Sequence, residues 1–484
     1  MPILTDNQPQ AAAKNLHLIF KTHLDIGFTD FSRSVAANYW AKFIPQAIET
    51  ARTLRESGAQ ERFIWTTGSW LIYEYLEQAE ASARKRMEDA ILAGDIVWHG
   101  LPFTMHSELM DASLFRFGLS LSQRLDQRFG RKTIAAKMTD VPGHTIGIVP
   151  LLAEAGIEFL HIGVNPASTV PDVPPLFVWQ HSDNTSIMVM YQDSYGSVYV
   201  EPRTGEAIAF AHTGDNEGPQ TAAEVHHNYD EMRAAFPNTP VAASTLDAFA
   251  AVLLPIKSQL PVVTQEIGDT WIHGVGTDPA KVARFRELSR RRRLWLEAEK
   301  ILPDDKTFDA FSRSLLMIPE HTWALDEKLH LKDYTHYEAA SFQAARSTAP
   351  FQKMERSWAE QRSYIEDALN AIKGTPFGDE AERSLARLTP TLPNTEGFTA
   401  IDPAALIETV HFRLRFDTQT GAITELVDKK TGREWASPDN PIGLFRYQTF
   451  SEADYDHFYE DYIRDKEATK HWSVDDYTKP GMGS

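Results

Sequence analysis

The 484-residue sequence contains no cysteine, and this absence excludes several kinds of site at once. Disulfide bonds, thiolate zinc sites and cysteine nucleophiles all need a thiol, so any metal must be bound by histidine and carboxylate side chains. Long apolar runs are also missing, because charged residues and Pro150 interrupt the most apolar stretch, residues 145–164. Residues 1–15 lack a basic region followed by an apolar core. No signal peptide is visible, and a cytoplasmic location is expected.

Positive charge is scarce as well. The chain has 48 Lys and Arg against 67 Asp and Glu, a formal net charge of -19 that argues against nucleic acid or an anionic membrane as a partner. The glycines match neither phosphate-loop nor dinucleotide spacing, so nucleotide binding has no support. At 42% hydrophobic residues the chain can bury a large core, and its eleven Trp include candidate platforms for sugar rings, although most Trp pack in cores. A homo-oligomer is compatible with this composition.

Short apolar runs alternate with helical stretches through the first half of the chain. Strand-like runs are predicted at residues 16–20, 62–67, 95–100, 133–140, 157–164 and 186–193. Helical composition lies between them, for example over residues 36–54 and 71–92. This alternation predicts an α/β fold with a parallel sheet and crossover helices, and its length favours a barrel-like catalytic domain over residues 1–297.

The pattern changes after residue 297. Helical stretches at residues 308–317, 336–348 and 351–372 predict a helical bundle, which with a Gly/Pro/Thr-rich linker at 374–394 makes a second domain over 298–394. From residue 395 the hydrophobic period is two, with a hairpin around Gly421, so residues 395–484 are predicted to form an all-β sandwich. Fewer than about a hundred residues are few for a complete sandwich, so we expect the chain to stop inside this domain.

His23 and Asp25 follow the first predicted strand. Two residues apart, an imidazole and a carboxylate can turn toward the same space and bind one divalent metal. A polar turn after a core strand explains an isolated pair equally well. Polar residues also end the later runs, however, at Thr66, Thr67, His99, Asp140, His161 and Asn165. Because active sites of such folds lie at the C-terminal ends of strands, these residues together predict one lined pocket.

Three further segments offer polar side chains with alternative explanations. Asp140 precedes a Pro-Gly turn and His144, but it could instead cap a helix beginning near Ile146. The Gly-rich loop over residues 266–279 contains Asp278, which could equally be a helix N-cap with proline at the first helical position. His321 lies beside a tryptophan, where a packed histidine is the commoner explanation.

The order of these motifs resembles glycoside hydrolase family 38, the retaining α-mannosidases, and predicts a divergent branch of that superfamily. The resemblance rests on the His-x-Asp of His23, the Asp-x-x-Gly-His of Asp140, the Gly268-Asp269 pair and the late His321. Residues 421–432 also resemble the first β-domain of that family. Members have an α/β barrel, a helical bundle and β-domains in that order. Lys21 and Pro142 depart from the family, which usually has a histidine and an aromatic residue there.

The resemblance implies a role for each matching residue. His23, Asp25, Asp140 and His321 would bind a divalent metal, for which an N/O ligand set suits zinc. Asp140 would also be the nucleophile, with Asp278 as acid/base and Asp269 as the reserve. Six residues are expected to contact the carbohydrate: His99, Glu108, His144, Trp271, His273 and Trp323.

Three functions of different classes are compatible with these residues. The first is a metal-dependent retaining glycosidase acting on an α-linked sugar, in which the nucleophilic and acid/base carboxylates lie about 5 Å apart. The second is another metal-dependent carbohydrate enzyme, a deacetylase or a lyase, that uses the same residues to activate water or a hydroxyl. The third is a carbohydrate-binding protein with a degenerate site.

Overall fold

The computed structural model describes residues 13–58, 60–268, 271, 276–300 and 305–483. The strands within these ranges are β1 Asn15–His23, β2 Trp65–Gly68, β3 Ile96–His99, β4 Ala135–Asp140, β5 Phe159–Val164, β6 Leu176–Gln180, β7 Ser186–Gln192, β8 Tyr199–Val200, β9 Glu206–Asp215, β10 Val241–Ala243, β11 Val262–Val263, β12 Ile407–Glu408, β13 Phe412–Phe416, β14 Ile423–Asp428 and β15 Glu434–Ala436. All six strand-like runs predicted from the sequence therefore contain a strand.

The α-helices in the same ranges are α1 Ser32–Asn38, α2 Ile44–Glu56, α3 Ser69–Gln78, α4 Ala81–Leu92, α5 Ala112–Phe129, α6 Ile148–Glu154, α7 Ala222–Ala235, α8 Leu246–Leu253, α9 Pro279–Glu297, α10 Lys306–Leu316, α11 Glu327–His330, α12 Ala339–Ala345, α13 Ala349–Ala371, α14 Pro376–Ala386, α15 Glu452–Tyr462 and α16 Lys466–Tyr477. A π-helical turn, Tyr39–Phe43, joins α1 to α2, and 3₁₀ turns lie at Ser107–Leu109 and Leu254–Gln259. None of the helices described is long and apolar enough to cross a membrane.

Two largely parallel sheets and one antiparallel sheet make up the β-structure. The first has the order β3-β2-β1-β9-β8, with β10 also pairing with β1. The second has the order β11-β6-β7-β5-β4, and the antiparallel third has the order β12-β13-β14-β15. The predicted α/β fold with parallel strands and a later antiparallel sheet is confirmed. Between the first two sheets, Gly100 N donates to Ala135 O at 2.9 Å. Closure of their strands into one barrel stays a prediction.

Strand β1 is buried on both faces, as is usual for a parallel sheet covered by helices. Leu18, Ile19 and Phe20 are each fully buried. Because side chains alternate across a strand, Ile19 shares one face with Lys21 and His23. Ile19 also belongs to an apolar cluster with members from both parallel sheets: Phe159, Met188, Met190, Ile208 and Phe210. The inner faces of the two sheets therefore converge, and the polar residues near the end of β1 lie above this apolar layer.

The structure corrects several details of the helical regions. The stretch of helical composition over residues 71–92 forms two helices, α3 and α4, because the chain is extended at Ala79 and Glu80. The predicted linker over 374–394 contains α14. The Thr-Pro pair in this segment marks the start of a helix. The Thr375 side chain accepts a hydrogen bond from Gly378 N, and Pro376 takes the first helical position.

Contacts between residues divide the chain into two compact units. One comprises the chain up to Leu388 together with Phe458–Thr478, and the other comprises Thr389–His457 and Lys479–Ser484. Helices α10 to α14 belong to the same unit as the parallel sheets. Helices α15 and α16 lie within the range predicted to be all β, so the all-β prediction for residues 395–484 is wrong there. The division into three domains stays a prediction.

Candidate metal centre

His23 is the last residue of β1, and Asp25 lies two residues beyond it. His23 Nε2 is 3.1 Å from Asp25 Oδ1, and both side chains are almost completely buried. The turn that carries Asp25 is held by Asn216, just after β9. Asp25 N donates to Asn216 Oδ1 at 3.1 Å, and Asn216 Nδ2 donates to the carbonyl oxygens of Asp25 and Gly27. This amide positions the carboxylate independently of any bound ion.

His321 approaches the same point from the segment after α10. Its Nε2 is 3.0 Å from Asp25 Oδ1, while its Nδ1 is 2.7 Å from Glu320 Oε1. Glu320 is 2% exposed and also accepts from the backbone N and the hydroxyl of Thr322. A carboxylate on one ring nitrogen orients the other nitrogen toward a metal, which is a common arrangement around metal-binding histidines.

Asp140 ends β4 with a backbone φ of 81°, a conformation that is strained for residues other than glycine. Its Oδ1 accepts from the Tyr195 hydroxyl at 2.6 Å and from Asn165 Nδ2 at 3.1 Å. Its Oδ2 is 3.5 Å from His321 Nε2. The alternative that Asp140 caps the next helix is wrong, because α6 begins after Gly147 without a side-chain cap.

Three of the four residues predicted as metal ligands thus meet at one buried point, and the fourth, Asp140, approaches it with Oδ2 beside His321. Ligand atoms of His23, Asp25 and His321 all lie within 4.8 Å of one another. Asp25 Oδ2 is buried without a hydrogen-bond partner among the described residues. Buried polar atoms are normally satisfied, so this oxygen fits a site at which a cation supplies the missing interaction. The donor set of imidazole nitrogens and carboxylate oxygens also suits zinc.

The electrostatics of the cluster favour ionised carboxylates. Burial opposes ionisation of Asp25, but the charges and hydrogen bonds of His23 and His321 outweigh it and lower the Asp25 pKa. The pKa of Asp140 is also lowered, because interactions with His321 and His23 outweigh its burial. Burial likewise disfavours the cationic form of His321, yet Glu320, Asp140 and Asp25 raise its pKa well above the ordinary value. The two ionised aspartates therefore give this point negative charge, which favours a bound cation.

The sequence analysis missed Asp215, a further carboxylate at the centre. It ends β9 opposite His23 in the sheet register and is half-buried. Burial, followed by the negative charge of Asp25, raises the Asp215 pKa to about 6. Strand β9 had not been predicted, although its end has the same signal as the other strands, a polar residue after an apolar run. Glu320, Tyr195 and Asn216 were missed as well, since each acts by orienting a neighbour.

The residues predicted to contact carbohydrate lie in several surroundings. His99 ends β3 and lines a small cavity next to His23. His144 is fully buried, with Nδ1 3.2 Å from the Ser107 hydroxyl, and Ser107 also donates to Glu108. A backbone bridge between His144 and Ile267 joins the turn after β4 to the loop that begins at residue 264.

The two tryptophans that were predicted to contact carbohydrate lie close to this region. The indole nitrogen of each donates a hydrogen bond to a neighbouring side chain. Trp323 Nε1 donates to His106 Nε2 at 3.2 Å, and Lys281 Nζ lies 4.1 Å from the centre of the Trp323 ring. Trp271 Nε1 donates to Ser168 Oγ at 3.1 Å. Contact of either ring with a carbohydrate stays a prediction.

The candidate acid/base residues give a mixed result. Asp278 is the N-cap of α9, with its Oδ1 accepting from Lys281 N at 3.1 Å and Pro279 at the first helical position. Its Oδ2 accepts from Arg362 Nη1 at 2.7 Å. The alternative reading of Asp278 as a helix cap is therefore confirmed. Asp269 and His273 lie outside the described residues.

The fold and the site together define an α/β protein with a buried His–carboxylate cluster at the ends of its strands. Residues 13–245 match the family model described as the Glycosyl hydrolases family 38 N-terminal domain. The match confirms the predicted resemblance of this region to family 38 and is consistent with a divergent branch. Residues 275–484 match a second model, described as a Domain of unknown function (DUF5054). No curated protein matches the chain.

Solved structures from one bacterium are similar at low sequence identity. The crystal structure of an alpha-mannosidase from Enterococcus faecalis V583 has a TM-score of 0.58 and 12% identity, with 87% of this chain and 61% of that chain covered. A protein in the Glycosyl Hydrolase Family 38 from Enterococcus faecalis has a TM-score of 0.47 and 12% identity, with 78% of this chain and 40% of that chain covered. The first likeness shows a shared fold. This chain spans less than two thirds of the length of either protein.

Proposed function

We propose that the protein is a metal-dependent retaining glycoside hydrolase that cleaves an α-linked sugar, with an α-mannoside as the first substrate to test. The observation that carries this proposal is the convergence of His23, Asp25, Asp140 and His321 at one buried point, within a region that matches family 38. The ion is proposed to be zinc, and the strands that carry the first three ligands are proposed to close into a barrel.

Asp140 has the features needed by a nucleophile. Its lowered pKa keeps the carboxylate ionised, and the Tyr195 and Asn165 donors fix Oδ1 so that Oδ2 faces His321. In the proposed reaction this carboxylate attacks the anomeric carbon while the bond to the leaving oxygen breaks, giving a covalent glycosyl ester that water then hydrolyses. A divalent ion bound by the four ligands would hold two adjacent sugar hydroxyls and favour ring distortion toward the transition state.

The leaving oxygen must receive a proton from a second carboxyl group. Asp278 is poorly placed for this task, because its two oxygens are already engaged, one by Lys281 N and the other by Arg362. We therefore assign the acid/base role to Asp269. Asp215 is the competitor, because its raised pKa suits a proton donor.

Hydrolysis of aryl α-mannosides by the purified chain tests the proposal. The purified protein should contain a bound metal, and turnover should depend on that metal. A chelator should abolish turnover, and added zinc should restore it. A 2-deoxy-2-fluoroglycosyl fluoride should label the protein, and peptide mass spectrometry should locate the sugar on Asp140. A metal-loaded chain that hydrolyses no α-glycoside would contradict the proposal.

The acid/base assignment has its own test in the series Asp269→Asn, Asp215→Asn and Asp278→Asn. The variant that lacks the acid should lose turnover of poor leaving groups but keep much of its turnover of dinitrophenyl glycosides, which need no protonation. Azide should rescue that variant alone by intercepting the glycosyl ester. Asp278→Asn is the matched control, because it makes the same substitution at a carboxylate that caps a helix.

A further inference from the structure

The end of α15 and the whole of α16 return to the unit that contains the parallel sheets. We call Phe458–Thr478 the returning segment, because contacts between residues group it with the chain up to Leu388. It lies outside residues 13–245, which match the family 38 model, and inside residues 275–484, which match the second model. None of the roles implied by the family resemblance falls on this segment, so its role is inferred from its contacts.

Apolar packing places the returning segment against the loop that follows β5. Tyr459 and Ile463 form a buried cluster with Ala167, which is itself fully buried. The backbone adds a hydrogen bond at the same place, since Arg464 N donates to Ala167 O at 2.9 Å. Because Ala167 lies two residues after Asn165, the segment is docked beside a residue that contacts Asp140.

The Arg464 guanidinium connects this loop to the turn after β7. Its Nη2 donates to Pro166 O at 3.3 Å and also to Asp193 O, while Nη1 donates to the Asp193 carboxylate at 2.6 Å. The planar fork of an arginine suits this arrangement, because it can hold several acceptors in fixed directions. Strands β5 and β7 are paired in parallel, so one side chain ties together the turns that follow two neighbouring strands.

Each of these two turns carries one of the donors to Asp140. Asn165 lies in the turn after β5, and its side chain donates to Asp140 Oδ1 at 3.1 Å. Tyr195 lies two residues after Asp193, and its hydroxyl donates to the same oxygen at 2.6 Å. The relative position of the two turns therefore determines how Oδ1 is held, and with it the direction in which Oδ2 faces.

Helix α16 connects the returning segment to a third turn near the candidate metal centre. Asp476 Oδ1 is 2.5 Å from Lys328 Nζ, which is also 2.9 Å from Asp326 Oδ1. Asp326 N in turn donates to Phe28 O at 2.9 Å, three residues beyond Asp25. The segment is thus tied to the turns after β1, β5 and β7, which gives the Arg464 side chain a fixed base.

We infer that Arg464 is a positioning residue for Asp140 and acts through Asn165 and Tyr195. This inference rests on the proposed function, in which Asp140 is the nucleophile. By fixing the turns after β5 and β7, Arg464 holds both donors on Oδ1 and leaves Oδ2 directed toward the reaction. The region that resembles family 38 thus depends on a segment outside it for a correctly oriented nucleophile.

The surroundings of Tyr195 can be measured without turnover. Labelling the full chain with 3-fluorotyrosine gives each of its 15 tyrosines a ¹⁹F resonance, and Tyr195→Phe identifies the one that belongs to Tyr195. Arg464→Met should shift or broaden this resonance, because the hydroxyl would lose its fixed contact with Asp140. Lys466→Met is the matched control and should leave the resonance unchanged, because Lys466 lies in the same segment but donates to Glu460 within it.

A double-mutant cycle tests the consequence for catalysis. Arg464→Met alone should lower kcat/KM for an aryl α-mannoside about tenfold at unchanged metal content, since misplacing a reacting group slows the reaction. In the Tyr195→Phe background the same change should cost about threefold or less, because one of its two routes to Asp140 is already broken. Arg464→Lys should recover part of the loss, since an ammonium group can bind Asp193 but cannot hold both turns as a fork does.

Two results would overturn the inference. These are an unchanged Tyr195 resonance in Arg464→Met, and an equal loss of kcat/KM in the two backgrounds, which a merely structural role would give. If Arg464→Met does not fold, Asp193→Ala carries the test, because it removes the carboxylate partner, keeps the arginine and should shift the same resonance. A wild-type chain that hydrolyses no α-glycoside would contradict the proposed function but not the ¹⁹F comparison, so the two failures are distinguishable.

Discussion

The end of β4 and the start of α9 each present an aspartate that the sequence marks as a candidate catalytic group, but the two regions use it differently. Asp140 has a left-handed backbone conformation and directs one carboxylate oxygen toward His321. Asp278 begins a helix, so both of its oxygens are engaged, one by Lys281 N and the other by Arg362. The comparison shows that the backbone after each aspartate determines what its carboxylate can bind. Where a helix begins at the aspartate, the carboxylate caps that helix. Where the helix begins several residues later, as after Asp140, the carboxylate is available for other contacts.

Asp140→Asn gives the largest expected effect. The amide cannot attack the anomeric carbon, so kcat/KM for an aryl α-mannoside should fall on the order of 10⁴-fold or more, as when other enzymes lose a catalytic carboxylate or nucleophile. Metal content, measured by mass spectrometry, should stay close to that of the wild type, because the asparagine side chain keeps an oxygen donor at this position beside the three other proposed ligands. Asp305→Asn, which changes the N-cap of α10, is the control and should change turnover little. Full activity in Asp140→Asn would favour a water-activating enzyme instead.

His321→Ala removes a proposed ligand from the centre, whereas the Asp278 region contributes none. Metal content of the purified variant should fall to background. His23, Asp25 and Asp140 would remain, but the imidazole that faces them would be lost and alanine supplies no ligand atom in its place. The variant should also unfold more easily, because Glu320 loses the partner of its buried Oε1. Metal retained at the wild-type level would remove His321 from the ligand set.

Glu320→Gln tests orientation of that imidazole while keeping it present. Loss of the carboxylate on Nδ1 should weaken metal affinity by about 10–100-fold, the usual cost of removing such a partner. Competition with a chromophoric chelator measures the affinity directly. Glu360→Gln is a suitable control, because Glu360 accepts from backbone N–H groups of Ser32 and Arg33 rather than from a predicted ligand. Equal affinities in the two variants would show that Glu320 does not position His321.

Asp278→Ala should have the smallest effect, and one on stability rather than on turnover. Loss of a helix cap costs about 1 kcal/mol, and the partly exposed pair with Arg362 adds little. Urea denaturation followed by circular dichroism measures the difference, and Asp278→Asn should lose less because asparagine also caps helices well. A large loss of turnover in a folded Asp278→Asn variant would instead assign the acid/base role to Asp278. It would also contradict the contrast drawn between Asp140 and Asp278.

Local pattern predicted much of the parallel sheets, because apolar runs between helical stretches identify buried strands. It placed His23, Asp25 and Asp140 at strand ends, where the structure has them. It failed where tertiary contacts decide the outcome. Strand β9 was missed, and with it Asp215.

The fourth proposed ligand illustrates the same limit. His321 could be singled out only by the order of motifs in a resembling family, since a histidine beside a tryptophan has no local signal for metal binding. The role of Glu320 depends on the orientation of the neighbouring ring, which no spacing in the sequence specifies. Asp278 shows the opposite case, because a residue before Pro279 at a helix start has a local signal strong enough to predict the cap.

The long separation between His23 and His321 has a consequence for how the protein is made. At ordinary rates of protein synthesis, about 5–20 residues per second, the ribosome adds His321 roughly 15–60 s after His23. During that interval the nascent chain holds His23 and Asp25 with no imidazole from the later segment to complete the cluster. The proposed four-ligand site can therefore be completed only late in the biogenesis of this protein, after the described strands of both parallel sheets have been synthesised.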